Sequence, residues 1–327
     1  VPDSGLNIDA RYPSLDLDAW MALIGSSTSD TEKAPGLLPS LNQIRIQSER
    51  LRVQDVDLDK ATLTLAPLRQ PNGWRVDISS SQTAGTLWWR VGVLGQPASL
   101  EGKFARLALG NPQASATKTE IEPPSESRLE GFKIPSIELT VNDLVVYGKN
   151  VGEVVLNGSA PGEGRTLSID QLEVKNVGAT LSGKGEWRLD GASRGLSLNA
   201  SLAIRDLGQF LDRVGLERAV SGGSGYVEGT VVWNNLPWRF QKSDLQGQLN
   251  VKLEKGRLSS VNSRSARVLE LLSLQSLQRI LSFDANPEGA FAQGFPFDLL
   301  EGSVQIQSGV MSTNNFRAHR AVDTKVI

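Results

Sequence analysis

Between residues 179 and 205 apolar and polar side chains alternate twice in succession, and a period of two admits only one kind of regular element. In the first stretch Ala179, Leu181, Trp187 and Leu189 take odd positions, while Thr180, Ser182, Lys184, Glu186 and Arg188 take the even ones. Successive side chains of a β-strand point to opposite faces, so the segment predicts a strand with one greasy and one wet face. In the second stretch Leu196, Leu198, Ala200, Leu202 and Ile204 are apolar, opposed by Ser197, Asn199, Ser201 and Arg205. The pattern returns at Ala61-Leu63-Leu65, Leu87-Trp89-Val91-Val93, Val227-Val231-Trp233, Leu249-Val251-Leu253 and Val304-Ile306. The expected fold is mainly β, one long amphipathic antiparallel sheet, and its function should depend on what covers the apolar face.

Composition excludes several function classes. The chain has 327 residues, 39% of them hydrophobic and 21% charged, enough for one large or two ordinary domains with a sizeable core. Thirty-four basic against 36 acidic residues give a net charge of -2 with no basic block, so the electrostatic footprint of a nucleic-acid partner is missing. No cysteine is present, which removes disulfides, thiolate catalysis and Cys-ligated metals, and His319 is the single histidine. No apolar run approaches the ~18 residues of a membrane span. The chain opens at Val1 with neither a basic n-region nor a signal-like apolar stretch, and it reads as a segment of a longer polypeptide whose targeting and anchoring parts lie elsewhere.

Two internal repeats argue for an elongated array. The shorter pairs Pro39-Ser40-Leu41 with Pro135-Ser136-Ile137, Leu51-Arg52-Val53 with Leu144-Val145-Val146, and Trp89-Arg90 with Trp187-Arg188. The longer matches Leu6, Ile8 and Ala10 to Leu196, Leu198 and Ala200, then Asp16-Leu17, Trp20-Met21, Ile24 and Gly25 to Asp206-Leu207, Phe210-Leu211, Val214 and Gly215. Each longer copy predicts a strand leading into a short amphipathic helix, with Asp206 as N-cap, an apolar stripe at Leu207, Phe210, Leu211 and Val214, and Gly215 at C′. The Pro-, Ser- and Thr-rich segment 110–130 predicts a flexible loop. The expected organisation is therefore a strand-helix unit and first meander over 1–109, that loop, and a second meander, strand-helix unit and C-terminal helix-strand region over 131–327. Residues 265–281 predict two short helices broken near Ser273 to Gln275. Val268, Leu271 and Leu272 share one face there, whereas Leu274, Leu277 and Leu281 fall nearly opposite.

No motif singles out a reaction. Residues 178–185 approach a phosphate-binding loop, but Gly185 stands where a Ser or Thr hydroxyl should hold Mg²⁺, and the segment lies inside an alternating strand. Asp55, Asp57 and Asp59 open like a calcium loop, yet Lys60 replaces its Gly and Ala66 its bidentate Glu. Ser221 to Gly225 fits a turn or bulge better than an anion cradle. His319 has no partners for a triad or a zinc site. No catalytic residue, metal site or cofactor is assigned, and the chain is expected not to be an enzyme. Trp88 and Trp89 should point to opposite sides of one strand, while Trp187 and Trp233 join apolar faces. Gly183, Gly185, Gly229 and Gly247 also fall on apolar faces, where a packed core would favour bulk, so room is left there for something else.

The strand-helix repeats, the string from Ser265 through Leu271-Leu272-Ser273-Leu274 to Asp284, the segment Gly294-Phe295-Pro296-Phe297 to Gly302, and the two copies ending in Trp-Arg resemble the AsmA-like family of bacterial envelope proteins over nearly the whole chain. Gln278, where relatives often carry proline, departs from the pattern. The resemblance implies a periplasmic protein anchored in the inner membrane of a Gram-negative bacterium and related to TamB and the bridge-like lipid transfer proteins. Its long sheet would curl into a U-shaped hydrophobic groove, with a few short amphipathic helices, and carry phospholipid between inner and outer membranes. On that reading the groove is lined by Ala179, Leu181, Trp187 and Leu189, by Leu196, Leu198, Leu202 and Ile204, and by Val227, Val231, Trp233, Leu249, Val251 and Leu253. The residues of 265–281 named above would meet a membrane or close the groove's end. A closed β-sandwich module, or a chaperone-like surface for outer-membrane proteins, would show the same alternation.

Overall fold

The computed structural model describes residues 5–17, 41–53, 56–69, 72–93, 97–110, 133–162, 164–191, 194–213, 216, 218–234, 242–258 and 295–319. The fold is mainly β, and the chain divides into two compact units, Val1–Gly164 and Arg165–Ile327.

In the first unit β1 (Leu6–Asp16), β2 (Leu41–Val53), β3 (Val56–Arg69), β4 (Asn72–Ser79), β5 (Ala84–Arg90), β6 (Ser99–Leu109), β7 (Ser136–Val146) and β8 (Lys149–Ser159) are hydrogen-bonded in chain order. Most neighbours are antiparallel. The turn between β7 and β8 has Tyr147 and Gly148 at φ 48° and 76°, a left-handed pair whose twist suits a tight hairpin. Two pairings correct the expectation of a wholly antiparallel sheet, since β1 and β6 run parallel to β2 and β7. A parallel neighbour requires the chain to return to its starting end, which takes a dozen residues or more. The stretches between Asp16 and Leu41 and between Leu109 and Ser136 have that length.

In the second unit β9 (Thr166–Lys175), β10 (Ala179–Arg188), β11 (Gly195–Ile204), β12 (Val220–Trp233), β13 (Leu245–Leu258), β14 (Phe295–Gln307) and β15 (Val310–Ser312) form an open antiparallel order, and β16 (Arg317–His319) pairs with β14. One α-helix, α1 (Leu207–Arg213), lies between β11 and β12, and a 3₁₀ turn, Lys242–Asp244, precedes β13. Asp206 caps α1, its Oδ1 accepting the Gln209 amide at 2.9 Å. The Asp206 carbonyl and the Phe210 amide come so close to Gly178 that a Cβ there would lie 2.4 and 2.6 Å from them. The absent side chain of Gly178 thus lets the helix N-terminus sit on the β9–β10 turn. Val214 and Gly215 lie outside the described residues, as do Trp20 to Gly25 of the earlier repeat copy.

Each unit has a cluster of buried apolar side chains at one end of its strands. In the first, Leu51, Val56, Leu58, Ala61 and Leu63 form the core, with Leu15, Ile46 and Val76 packed against it. In the second, Ala179, Ile204, Leu207, Val220, Leu253, Leu258, Phe297 and Leu300 form it, joined by Phe210 and Leu211 of α1. Strict alternation would set Leu58 opposite Ala61 and Leu253 opposite Leu258, yet each pair shares one cluster. Lys60 and Lys255 lie between them at φ 51° and 54°. A left-handed residue rotates the strand by one step of the alternation, so the apolar face continues across it at a cost of about 1–2 kcal/mol.

Candidate functional site

Paired residues in neighbouring strands share a face, so the register turns the alternation into transverse apolar rows. In the second unit one row runs Leu167, Trp187, Leu196, Trp233 and Leu245 across β9 to β13. The next runs Ile169, Gly185, Leu198, Val231, Gly247 and Ile306. A third is Leu172, Gly183, Ala200, Gly229, Leu249 and Val304, and a fourth Val174, Leu181, Leu202, Val227, Val251 and Gly302. The fifth starts at Ala179 in β10 and continues through Ile204, Gly225, Leu253 and Leu300. All fourteen residues expected to line one apolar face occur in these rows or, for Leu189, directly after β10. Val268, Leu271, Leu272, Leu274, Leu277 and Leu281 lie outside the described residues.

Burial separates the rows into two kinds. Ala179, Ile204 and Leu253 are packed into the α1 cluster, and Trp187 and Leu189 are buried as well. Leu181, Leu196, Leu198, Leu202, Val227, Val231, Trp233, Leu249 and Val251 are only half-buried. Among the described residues no second sheet lies over them, which a β-sandwich would require. In the third row Gly183, Ala200 and Gly229 are consecutive, so the surface sinks there between leucines and valines. The glycines also serve the backbone: a Cβ on Gly185 would stand 2.0 Å from the Ser197 carbonyl.

The first unit repeats the arrangement. Ile8, Ile44, Leu65, Val76, Leu87, Gly102, Leu139 and Leu156 form one row across β1 to β8. Ala10, Ile46, Leu63, Ile78, Gly85, Phe104, Val141 and Val154 form the next, and Pro67, Trp74, Trp89, Leu100 and Ile137 a third. Trp88 faces the other way, between Arg75 and Glu101, with the Lys103 ammonium 5.6 Å from its ring centroid.

The opposite face is polar and largely self-neutralised. Arg188 pairs with Glu186 at 2.6 Å, Lys175 with Glu173 at 2.5 Å, and Glu101 takes both Arg90 and Lys103. The Lys103 and then the Arg90 hydrogen bonds hold the Glu101 carboxyl below its ordinary range, and Lys175 does the same for Glu173. Thr230 donates to Asn199 and Ser303 to Asn250, extending the wet face across strands.

The residues weighed as sites fall into ordinary backbone. Residues 179–185 lie in β10, and Gly222 and Gly223 take φ 63° and 87° at an irregularity of β12. Asp57 and Asp59 lie in β3, where Asp59 exchanges hydrogen bonds with Gln82. Among the described residues no cluster of His, Cys, Asp and Glu is placed to hold a metal, and no helix is long and apolar enough to cross a membrane. Sequence reasoning missed β9, because its apolar pairs Leu167-Ile169 and Leu172-Val174 change parity across a register irregularity. It also missed Leu258, which follows the Lys255 slip, and Phe297, which pairs with Gly256 beyond that slip and is only 2% exposed.

The family model of the YhdP protein matches residues 1–321. The chain is also 21% identical over 313 residues to the intermembrane phospholipid transporter YhdP of Escherichia coli (strain K12), covering 94% of this chain and 24% of that protein. It spans about a quarter of the relative's length. No solved structure matches it. The chain belongs to the YhdP family.

Proposed function

From membership of the YhdP family, we propose that this chain is a stretch of a conduit that carries phospholipid between the inner and outer membranes, with acyl chains lying on its apolar rows. The family supports lipid transport, and the relative's name supplies the intermembrane phospholipid cargo. The observation that carries the reading is the run of half-buried apolar rows in the middle of the second unit's strands, backed by a polar face and overlaid by no described second sheet. Water is a poor neighbour for such a surface, and so is it for a lipid tail. Each methylene exposed costs about 0.8 kcal/mol, so two chains of ~15 methylenes cost roughly 24 kcal/mol to bring into water. A continuous apolar floor removes most of that barrier while the headgroup stays hydrated. Successive rows of similar composition also keep the lipid's energy nearly level as it advances, so no one position traps it. The full-length protein is then periplasmic and anchored in the inner membrane, its floor curls into a groove, and its output is relocation of lipid with no bond made or broken.

Photo-crosslinkers at Leu198, Leu202, Val231 and Val251 test the reading. They should capture phospholipid, whereas the same group at Asn199, Lys252 or Glu254 should not. Equal capture at both sets, or an organic extract of the purified protein free of phospholipid, would refute it.

A further inference from the structure

Across β2 to β5 of the first unit the apolar face is shut at one end of its strands and open at the other. At the shut end Leu51, Val56, Leu58, Ala61 and Leu63 are at most 8% exposed. At the open end Trp74 is 37% exposed, and Val91 and Val93, just beyond β5, are 50% and 60% exposed. Arg69 stands at this open end, opposite Asn72, and its register places it on the same side as Leu63, Leu65 and Pro67. It is exposed, and among the described residues nothing forms an ion pair or hydrogen bond with its guanidinium. On the polar face of β4 to β6, Arg75, Arg90, Lys103 and Arg106 are each matched with a carboxylate. An uncompensated cation beside a half-exposed tryptophan, at the limit of an apolar surface, has the chemistry of a membrane–water interface.

We propose that Arg69 and Trp74 form a headgroup station. The phosphate of a phospholipid sits against the Arg69 guanidinium, Trp74 lies at the level of the glycerol, and the acyl chains run along β3 to β5 toward the buried end. This deepens the lipid-carrying reading and rests on it. The dimensions agree: from Trp74 to Ile78 is four residues, about 13 Å at the strand rise, close to the ~15 Å hydrocarbon depth of one leaflet. A guanidinium offers two parallel donors to a phosphodiester. The apolar cluster at the buried end leaves a headgroup no hydrated place among Leu51, Leu58 and Leu63, so the lipid has a fixed orientation on this unit. In the second unit the corresponding end is different, because Trp187 is only 6% exposed and Arg165 is matched with Asp190 at 2.6 Å.

The test compares phosphatidylglycerol with diacylglycerol carrying the same fluorescent acyl chain, each delivered from cyclodextrin to the protein. Arg69→Glu should weaken phosphatidylglycerol binding about tenfold, which corresponds to ~1.4 kcal/mol. Diacylglycerol, which lacks the phosphate, should change by less than twofold and reports that the fold and the apolar rows are intact. Arg69→Lys should recover most of the loss, and Arg75→Ser on the polar face should affect neither lipid. Equal weakening of both lipids, or undiminished phosphatidylglycerol binding, overturns the headgroup station and leaves lipid carriage standing. Displacement of the lipid by 1 mM glycerol 3-phosphate overturns it too, by making Arg69 a site for free phosphate. Binding of neither lipid by the wild-type protein overturns both proposals.

Discussion

Leu198 and Leu300 occupy the same apolar face of the second unit, yet truncating them should have different consequences. Leu300 is 6% exposed and sits in the cluster with Leu253, Leu258 and Phe297. Removing a buried leucine's outer atoms loses their transfer free energy and leaves a cavity, so Leu300→Ala should cost about 3 kcal/mol, within the ~2–5 range of such changes. Leu198 is half-buried, beside Gly185 and Val231 in register. Full burial of a leucine contributes ~1.5–3 kcal/mol, so about half of that, roughly 1 kcal/mol, is at stake here, and no closed cavity forms. Urea unfolding followed by tryptophan fluorescence gives both values, provided the slope is unchanged. Lipid transfer between vesicles should rank the positions in reverse order. Leu198→Glu places a carboxylate where acyl chains pass, and an unpartnered ionised group against hydrocarbon costs several kcal/mol. Transfer should fall at least tenfold while the urea midpoint moves little. If Leu198→Ala costs as much as Leu300→Ala, then Leu198 is ordinary core and the face is covered. The lipid-carrying argument would fail with it.

Strand positions and their faces were legible in the sequence because a strand's side-chain period is local and needs no knowledge of its neighbours. The rows at Leu198, Leu202, Val231 and Val251 follow from alternation alone, and the N-cap at Asp206 from the residue type that satisfies an orphan amide. What escaped is whatever resets the period or depends on distant pairing. Lys60 and Lys255 carry no sequence mark of a left-handed conformation, since lysine is not a residue that favours it, so Leu258 lay in the wrong phase, and so did its neighbourhood across the sheet at Phe297. Parallel pairing of β1 with β2 and of β6 with β7 is a property of where the chain returns after a long connection, which no periodicity encodes. The same holds for depth of burial. Ala179 and Leu181 look alike in the pattern, but only Ala179 comes under the cluster that α1 completes. Arg69 was invisible as a site because its meaning lies in the pairing with Asn72 and in the carboxylates that the cations of β4 to β6 have and that, among the described residues, it lacks.

Asp206→Ala should destabilise the second unit by about 1 kcal/mol, because the Gln209 amide loses its acceptor, whereas Asp206→Ser should cost a few tenths; equal losses would count against the cap. Glu101 has a depressed folded-state pKa, so the stability it contributes is complete above its ordinary value of 4.5 and is lost as pH falls through the folded value. Glu101→Gln should therefore flatten the acid limb of the stability profile below about pH 4.5, and an NMR titration of Glu101 at or above that value would contradict the assignment. The glycines of β10 make the sharpest comparison, since both lie on the apolar face and only their surroundings differ. A Cβ on Gly183 would meet the Asn199 carbonyl and Leu198 Cδ1 at 3.2 Å, distances that a small shift relieves. On Gly185 it would stand 2.0 Å from the Ser197 carbonyl and 2.9 Å from the Leu198 Cα, which are backbone atoms held by the ladder. Alanine in place of strand glycine recovers ~0.5–1 kcal/mol of chain entropy, enough to leave Gly183→Ala within about 1 kcal/mol of wild type. Gly185→Ala must instead displace β11 and should lose at least ~2 kcal/mol, in the range of overpacked cores. Lipid transfer then separates a structural glycine from one that leaves room. Gly183→Leu fills the depression among Leu181, Leu198 and Leu202 and should slow transfer more than it lowers the urea midpoint. Unaltered transfer in a folded Gly183→Leu protein would mean that the lipid path does not cross the third row.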